Sequence, residues 1–212
     1  MQINNDKAIL ETKISLDEIL LASASPRRKE IIHLLGVPVK IIPSSIDESF
    51  QTNLNINDNL LRIADNKTKD ASNEQNLYST IIGADTVVVL NDIVYGKPKN
   101  NEDAKRTLLS LSGTKHEVIT GVSILNRARN INITFTEKTT VHFRELSEQE
   151  IHGYVMSSEP MDKAGSYAIQ GKAALFVSKI EGSYLNVVGL PINRIYNELK
   201  KHFILNPFTS GD

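Results

Sequence analysis

Cysteine is absent from the 212 residues of this sequence. The chain therefore has no disulfide bonds, no thiol nucleophile and no cysteine-bound metal, which agrees with an expected location in the cytoplasm. The five histidines show no spacing typical of metal ligands, so we interpret them as structural or solvated. Neither a P-loop pattern nor a GxGxxG fingerprint occurs, which disfavours kinases, GTPases and dehydrogenases.

An excess of charge of one sign is also missing, since 24 basic and 25 acidic residues give a formal net charge of −1. This balance argues against a general nucleic-acid or membrane surface, so any phosphate site has to come from a local cluster of cations. No apolar run approaches the roughly 20 residues that span a bilayer. The polar first residues lack the apolar core of a signal peptide. We expect neither a nucleic-acid partner nor a membrane partner.

The first informative motif is a tight turn between an apolar run and an amphipathic one. Ser25 is placed as a helix N-cap and Pro26 as the first helical residue. Arg27 and Arg28 then lie in the first turn, where the helix dipole disfavours cations. An anion held by backbone N–H groups, serine hydroxyls such as that of Ser23 and guanidinium groups would explain this placement. The alternative is that both arginines are simply solvated.

Asp85 interrupts a run of β-branched residues at Thr80–Leu90, which predicts a buried strand. A carboxylate is costly to bury unless it is paired, hydrogen-bonded or bound to a metal. The pattern favours a general base or a metal ligand, and the alternative is an edge-strand aspartate that faces water.

Four further polar residues are unremarkable when taken alone. Lys67 and Lys97 are ordinary surface lysines by default, although Lys97 lies between a glycine and a proline at a strand end. Glu48 lies in a polar loop and would be solvated. Gln170 is followed by a glycine that permits close approach, so its amide could read the edge of a base or could belong to an ordinary strand.

The order of predicted elements indicates an α/β fold. Strands alternate with helices early in the chain and pair locally later, so we expect a mixed twisted sheet with flanking helices. Four predicted helices lie at 26–36, 101–112, 147–156 and 191–202, and a fifth begins at Leu60. Asn101 is the predicted N-cap of the helix at 101–112, and the helix at 147–156 begins with a capping box. The predicted strands lie at 19–21, 39–42, 80–90, 93–95, 116–125 and 131–143. Residues 1–17 are expected to be a loose or weakly helical extension, and 203–212 a frayed tail.

Several motifs in order, from about residue 20 to about residue 199, resemble the Maf family of nucleoside triphosphate pyrophosphatases. They are Ser23-x-Ser25-Pro26-Arg27-Arg28, Gly83-Ala84-Asp85-Thr86-Val87-Val88, Gly96-Lys97-Pro98, Leu111-Ser112-Gly113, Asp162-Lys163-Ala164-Gly165-x-Tyr167-x-Ile169-Gln170-Gly171 and Asn186-Val187-Val188-Gly189-Leu190-Pro191. Agreement among several separate motifs makes a chance resemblance untenable.

The resemblance implies hydrolysis of a nucleoside triphosphate between its α and β phosphates, with a divalent cation such as Mg²⁺ or Mn²⁺. It also implies a homodimer and an inosine-triphosphatase-like domain at 18–202, with two lobes around a cleft. The family's catalytic aspartate falls on Asp85, and its metal-associated glutamate on Glu48. The specificity positions fall on Arg27, Thr86 and Gln170, and the phosphate contacts on Ser23, Arg28, Lys67 and Lys97.

Two substrate branches of the family differ at the first arginine and at the glutamine. Arg27 and Gln170 resemble the branch that prefers dTTP and UTP, whereas the branch acting on 7-methyl-GTP tends to have tryptophan and glutamate there. Modified pyrimidine triphosphates are further candidate substrates. The Asn-rich segment at 49–59 departs from the family pattern because it lacks a proline. A non-catalytic nucleotide-binding regulator of cell division and septum formation is the alternative, although the intact polar positions favour an enzyme.

Overall fold

The computed structural model describes residues 14–16, 18–73, 79–205 and 207–208, which form a mixed α/β fold. The strands are β1 (Ile14–Ser15), β2 (Ile19–Ala22), β3 (Val39–Ile41), β4 (Thr80–Leu90), β5 (Ile93–Tyr95), β6 (Lys115–Asn126), β7 (Ile131–Phe143), β8 (Val177–Glu181) and β9 (Phe203–Ile204). The α-helices are α1 (Pro26–Ile32), α2 (Ile56–Ser72), α3 (Asn101–Leu111), α4 (Glu148–Met156), α5 (Tyr184–Val188) and α6 (Ile192–His202). Short 3₁₀ turns lie at His33–Leu35, Glu159–Asp162, Ala164–Ser166 and Lys172–Phe176.

The main sheet has seven strands, six of them in the order β3-β2-β4-β6-β7-β8, with β5 paired to β4. Strand β2 is parallel to both β3 and β4, whereas β4, β6, β7 and β8 are successively antiparallel. The predicted mixed sheet with flanking helices is therefore confirmed.

The turn after β2 forms as the sequence predicts. The Ser25 hydroxyl accepts a hydrogen bond from the backbone N–H of Arg28, and Pro26 is the first helical residue. Helix α1 ends earlier than expected, at Ile32, and one 3₁₀ turn continues to Leu35. Gly36 closes this turn with a φ of +67°, a left-handed conformation that glycine adopts without strain.

Helix α2 begins four residues before the predicted start at Leu60. Its N-cap is Asn55, whose side chain accepts from the backbone N–H of Asp58. The buried Asn59 side chain accepts from Gln51 N at 2.7 Å and donates to the carbonyls of Gln51, Leu54 and Asn55. The polar residues of the Asn-rich segment thus cap and brace a helix, although their composition alone predicts a surface loop.

Two glycines allow helix α2 to lie unusually close to the sheet. A Cβ atom on Gly121 of β6 would lie 2.6 Å from the backbone of Leu60, and one on Gly83 of β4 would lie 2.6 Å from the carbonyl oxygen of Ala64. Side chains at these points would push the helix away from the sheet. The close approach brings the next turn of α2, which carries Lys67, against the centre of β4.

The ends of the described chain meet in a separate two-stranded parallel sheet of β1 and β9. Ile14–Ser15 belongs to the segment predicted as loose or weakly helical, and Phe203–Ile204 to the tail predicted as frayed, so both predictions are wrong for these residues. Pairing with a distant partner organises them, which no local pattern reveals. Residues 1–13, 17, 206 and 209–212 of these two segments lie outside the described residues.

Two smaller differences concern helices later in the chain. Asn100, not Asn101, caps α3 by accepting from the N–H of Asp103. Helix α5 is too short for a periodic signal to predict it. The predicted capping box of α4, between Ser147 and Glu150, is confirmed.

No helix within the described ranges has the length and apolarity that a membrane crossing requires.

A buried aromatic cluster joins β6 and β7 to the loop after α4. His116 is 1% exposed, shares a 2.9 Å hydrogen bond between its Nε2 and the Tyr167 hydroxyl, and packs edge-on against Phe143. Burial lowers the pKa of His116 to about 4, because the imidazolium ion would lose its hydration. The structural role expected for this histidine fits the packing.

We expect Gly121→Ala to lower the free energy of unfolding by about 1–3 kcal/mol, because the added methyl group overlaps backbone rather than a movable side chain. Gly153→Ala is the matched control. Gly153 lies in α4 with nothing near the position of a Cβ atom, so this change should stabilise the helix by up to about 1 kcal/mol. Urea unfolding of both variants measures the difference, and equal effects would contradict the close approach of α2.

We expect His116 to make stability depend on pH in mildly acidic solution. Its ordinary pKa is 6.5 and its folded value about 4, so between these values the unfolded chain binds a proton that the folded chain does not. The free energy of unfolding should therefore fall by up to about 3 kcal/mol as the pH decreases through this window. Urea unfolding at a series of pH values should show a flatter dependence for His116→Gln. The exposed-site control His152→Gln should follow the wild type, and identical slopes for all three proteins would refute the assignment.

Candidate active site

A cavity of about 350 Å³ opens where β2 ends and β4 continues. Pairing of β2 with β4 stops at Ala22 and Gly83, and β5 joins β4 only from Val88 onward. Residues 84–87 of β4 are therefore bound to β6 on one side and face the cavity region on the other. All of the predicted site residues line this cavity: Ser23, Arg27, Arg28, Glu48, Lys67, Asp85, Thr86, Lys97 and Gln170.

Asp85 projects from this interrupted part of β4 and forms an ion pair with Lys67 of α2. The distance from Lys67 Nζ to Asp85 Oδ1 is 2.9 Å, and the two side chains are 5% and 14% exposed. The same ammonium group lies 2.9 Å from Glu48 Oε1 and 3.3 Å from the carbonyl oxygen of Ala84. Lys67 is therefore not the surface lysine that its sequence context suggests. Asp85 is not an edge residue that faces water.

Arg28 fills the gap left by β2 and binds three separate segments of the chain. Its Nε donates to the carbonyl of Gly189 at 2.9 Å, and its Nη1 donates to the carbonyl of Ala84 at 2.9 Å and to Ser23 Oγ at 3.3 Å. Its Nη2 donates to Thr86 Oγ1 at 3.0 Å. Burial lowers the pKa of Arg28, against the opposing attraction of the Asp85 and Glu48 charges. These bonds engage four of its five N–H donors.

The two hydroxyls predicted to face the substrate also have partners in the protein. Ser23 Oγ accepts from the backbone N–H of Ser25 at 3.2 Å. Thr86 Oγ1 lies 3.0 Å from Thr120 Oγ1 as well as accepting from Arg28. The floor of the cavity is therefore a connected hydrogen-bond network that fixes its own geometry.

Two further charged residues, Asp162 and Lys163, line the cavity, although the sequence analysis assigned neither of them a role. Arg27 Nη1 lies 3.5 Å from Asp162 Oδ2, so this contact joins α1 to the loop after α4. Lys163 contacts the same carboxylate, and its side chain is largely buried. The sequence signal for Asp162 and Lys163 was their place in the Asp162–Gly171 motif.

Positively charged side chains outnumber negatively charged ones in the lining of the cavity. Among the described residues, five cationic side chains line it (Arg27, Arg28, Lys67, Lys97 and Lys163), against the carboxylates of Glu48, Asp85 and Asp162. An apolar part of the lining is formed by Val88, Val118, Ile169, Val187 and Val188. The cavity can therefore take a ligand that has both a polyanionic part and an apolar or flat part.

Glu48 and Asp85 are the residues that could hold a metal ion, since both present carboxylate oxygens to the same point near Lys67 Nζ. No group of three or more acidic or histidine side chains suited to a metal occurs within the described ranges. Mg²⁺ is commonly held by one or two carboxylates together with the phosphates of a substrate. The donor pair fits a cation of that kind rather than one enclosed by the protein alone.

A family model described as "Maf-like protein" matches residues 18–202. A dTTP/UTP pyrophosphatase of Alkaliphilus oremlandii (strain OhILAs) is 47% identical over 191 residues, which are 90% of this chain and 99% of that protein. A dTTP/UTP pyrophosphatase of Bacillus cereus (strain AH820) is 48% identical over 184 residues, or 87% and 95% of the two chains.

Solved structures with the same fold include two Ham1 proteins. The HAM1 protein from Coxiella burnetii aligns with a TM-score of 0.50 and 16% identity, and the Staphylococcus aureus Ham1 protein with a TM-score of 0.51 and 15% identity. Each alignment covers 87% of this chain and 99% of the other. At this level of identity the likeness concerns the fold alone.

Proposed function

The chain belongs to the family of Maf-like proteins, and from that premise we propose that it hydrolyses dTTP and UTP to the nucleoside monophosphate and pyrophosphate. Relatives that carry the name dTTP/UTP pyrophosphatase and match nearly their whole length support this activity. The observation that carries the proposal at the level of geometry is the Lys67–Asp85 pair at the centre of a cavity rich in cations. Modified pyrimidine triphosphates are further substrates to test.

Asp85 is the proposed general base. Lys67 holds its Oδ1 oxygen, so the carboxylate is fixed in orientation and Oδ2 can accept a proton from water. The water oxygen then bonds to the α-phosphorus, while the bond from that phosphorus to the oxygen bridging to the β-phosphate breaks. Pyrophosphate leaves with this oxygen. Asp85 takes the proton of the attacking water and later releases it to solvent.

The cationic side chains would bind the polyphosphate. Lys97 is the proposed direct contact, together with Ser23 at the floor of the cavity. Lys67 contributes its positive charge, since its three N–H donors already face Glu48, Asp85 and the carbonyl of Ala84. Arg28 contributes its positive charge and one remaining N–H donor, since its other donors bind the protein. Stabilisation of charge by groups already held in place is an effective means of phosphoryl-transfer catalysis.

A divalent cation, Mg²⁺ or Mn²⁺, would be held by Glu48 and Asp85 and would neutralise charge on the phosphates. We assign nucleobase discrimination to Arg27, Thr86 and Gln170, which line the same cavity. The catalytic domain in this proposal is 18–202, with flanks at 1–17 and 203–212 that meet through β1 and β9. A homodimer located in the cytoplasm completes the proposal.

We expect Asp85→Asn to lower the turnover number for dTTP by at least ~10², since the amide cannot accept the proton from water. Binding of dTTP should remain largely intact, because asparagine has the same shape and its oxygen can still accept from Lys67. Pyrophosphate release with Mg²⁺ or Mn²⁺ measures turnover, and calorimetry measures binding. Asp92→Asn is the control, because Asp92 lies in the turn after β4 and outside the cavity.

Near-normal turnover in Asp85→Asn would show that Asp85 is not the general base. A wild type that binds dTTP without releasing pyrophosphate would instead support the non-catalytic regulator.

We expect Gln170→Glu to lower kcat/KM for dTTP and UTP relative to other nucleoside triphosphates, because a carboxylate lacks the N–H donors of the amide. The comparison uses ratios of kcat/KM across a panel, so that a general loss from the added charge cancels. Gln149→Glu makes the same substitution on the exposed face of α4 and should leave every ratio unchanged. Unchanged ratios in Gln170→Glu would contradict a role in base recognition.

A further inference from the structure

Gln170 lines the cavity but has no side-chain hydrogen bond of its own to any other described residue. It lies on a turn in which Gly171 N donates to the carbonyl of Ala168 at 2.9 Å. The direction of its amide therefore depends on how firmly this turn, residues 168–172, is held. Two side chains from the region of α4 bind the turn at its two ends.

Tyr154 binds the start of the turn. Its hydroxyl accepts from the backbone N–H of Ala168 at 3.1 Å and donates to Glu159 Oε1 at 3.0 Å. The side chain is fixed in the core, since Tyr154 is 4% exposed and its ring packs edge-on against Phe176. Burial raises the pKa of Tyr154, so its hydroxyl keeps the proton that it donates to Glu159.

Glu159 binds the end of the turn. Its Oε2 accepts from the backbone N–H of Lys172 at 3.3 Å, while its Oε1 accepts from Tyr154. The carboxylate lies so close to Gly171 that a Cβ atom there would overlap Oε1. The glycine beside Gln170 therefore makes room for this carboxylate. The sequence had suggested instead that it makes room for a base.

The two side chains act as one unit, because a single hydrogen bond joins them and each binds a different end of the turn. Both lie outside the lining of the cavity, so neither is placed to touch a substrate. We propose that Tyr154 and Glu159 are positioning residues for nucleobase specificity, which hold the 168–172 turn so that the Gln170 amide faces the base. This inference rests on the proposed function of Gln170.

The main test is the selectivity of Tyr154→Phe, which removes one oxygen and both hydrogen bonds. We expect the ratio of kcat/KM for dTTP to that for dGTP to fall about tenfold, mainly through a higher KM for dTTP, with little change in kcat. Ser112→Ala is the matched control, since it also removes one side-chain bond to a backbone N–H, that of Leu146, and neither residue lines the cavity. The control should lose stability without a change in the ratio.

A double-mutant cycle separates positioning from a general loss of stability. If Tyr154 acts through Gln170, then Tyr154→Phe should change the selectivity ratio less than twofold when it is made in a Gln170→Ala background. Equal effects in the two backgrounds would overturn the inference. Glu159→Gln provides a second variant that keeps the shape of the side chain and should reduce the ratio in the same direction, and it carries the test if Tyr154→Phe does not fold.

Hydrogen exchange gives a readout that does not depend on activity. The amides of 168–172 should exchange at least about tenfold faster in Tyr154→Phe than in the wild type, with no change in Ser112→Ala. Unchanged exchange would overturn the inference. A wild-type protein that releases no pyrophosphate from dTTP would overturn the proposed function and this inference together. An active wild type with unaltered selectivity in the variants would overturn the inference alone.

Discussion

The ion pair between Lys67 and Asp85 is the interaction on which the cavity depends. An ammonium group that is 5% exposed is tolerable only with nearby acceptors, and here two carboxylates and one carbonyl oxygen supply them. The pair in turn depends on the close approach of α2 to the sheet, which Gly83 and Gly121 allow. Removing Lys67 would leave the Asp85 carboxylate without its ion-pair partner. The packing of α2 on the sheet and the chemistry of the site therefore depend on each other.

Arg28 shows how the fold opens the sheet without leaving polar groups unpaired. Where β2 ends, the carbonyl of Ala84 would lose its neighbouring strand, and the Arg28 guanidinium group takes the place of that strand. The same side chain binds the carbonyl of Gly189, which is 161 residues away in sequence. The two neighbouring arginines therefore differ in role. Arg28 is bound by the walls of the cavity, whereas Arg27 is more exposed and contacts Asp162.

The residues that line the cavity have different supports. Lys67 and Asp85 are held by regular secondary structure, since they lie on α2 and β4. Gln170 lies on the 168–172 turn, which Tyr154 and Glu159 bind at its two ends. Sites built on loops need such supporting contacts to reach a defined geometry.

Local signals in the sequence were sufficient for the main elements. A dense run of β-branched residues marked β4, and the Ser25 cap with Pro26 marked the start of α1, because both signals depend on neighbouring residues. The start of α2 was missed because its cap, Asn55, lies in a mostly polar, Asn-rich segment. The β1–β9 pairing was missed because strands of two residues carry no periodic pattern.

The sequence by itself determined which chemical groups were available and, through its motifs, which family they belong to. Only the tertiary structure decided which of these groups are engaged by the protein and which remain open to a ligand. Three contacts show this: the hydrogen bonds of Arg28, the ion pair that buries Lys67, and the contact of Glu159 with Gly171. Each of them joins residues that are distant in the chain or lie on different elements. Such contacts depend on how helices and loops pack on the sheet, and no local pattern of residues encodes that packing.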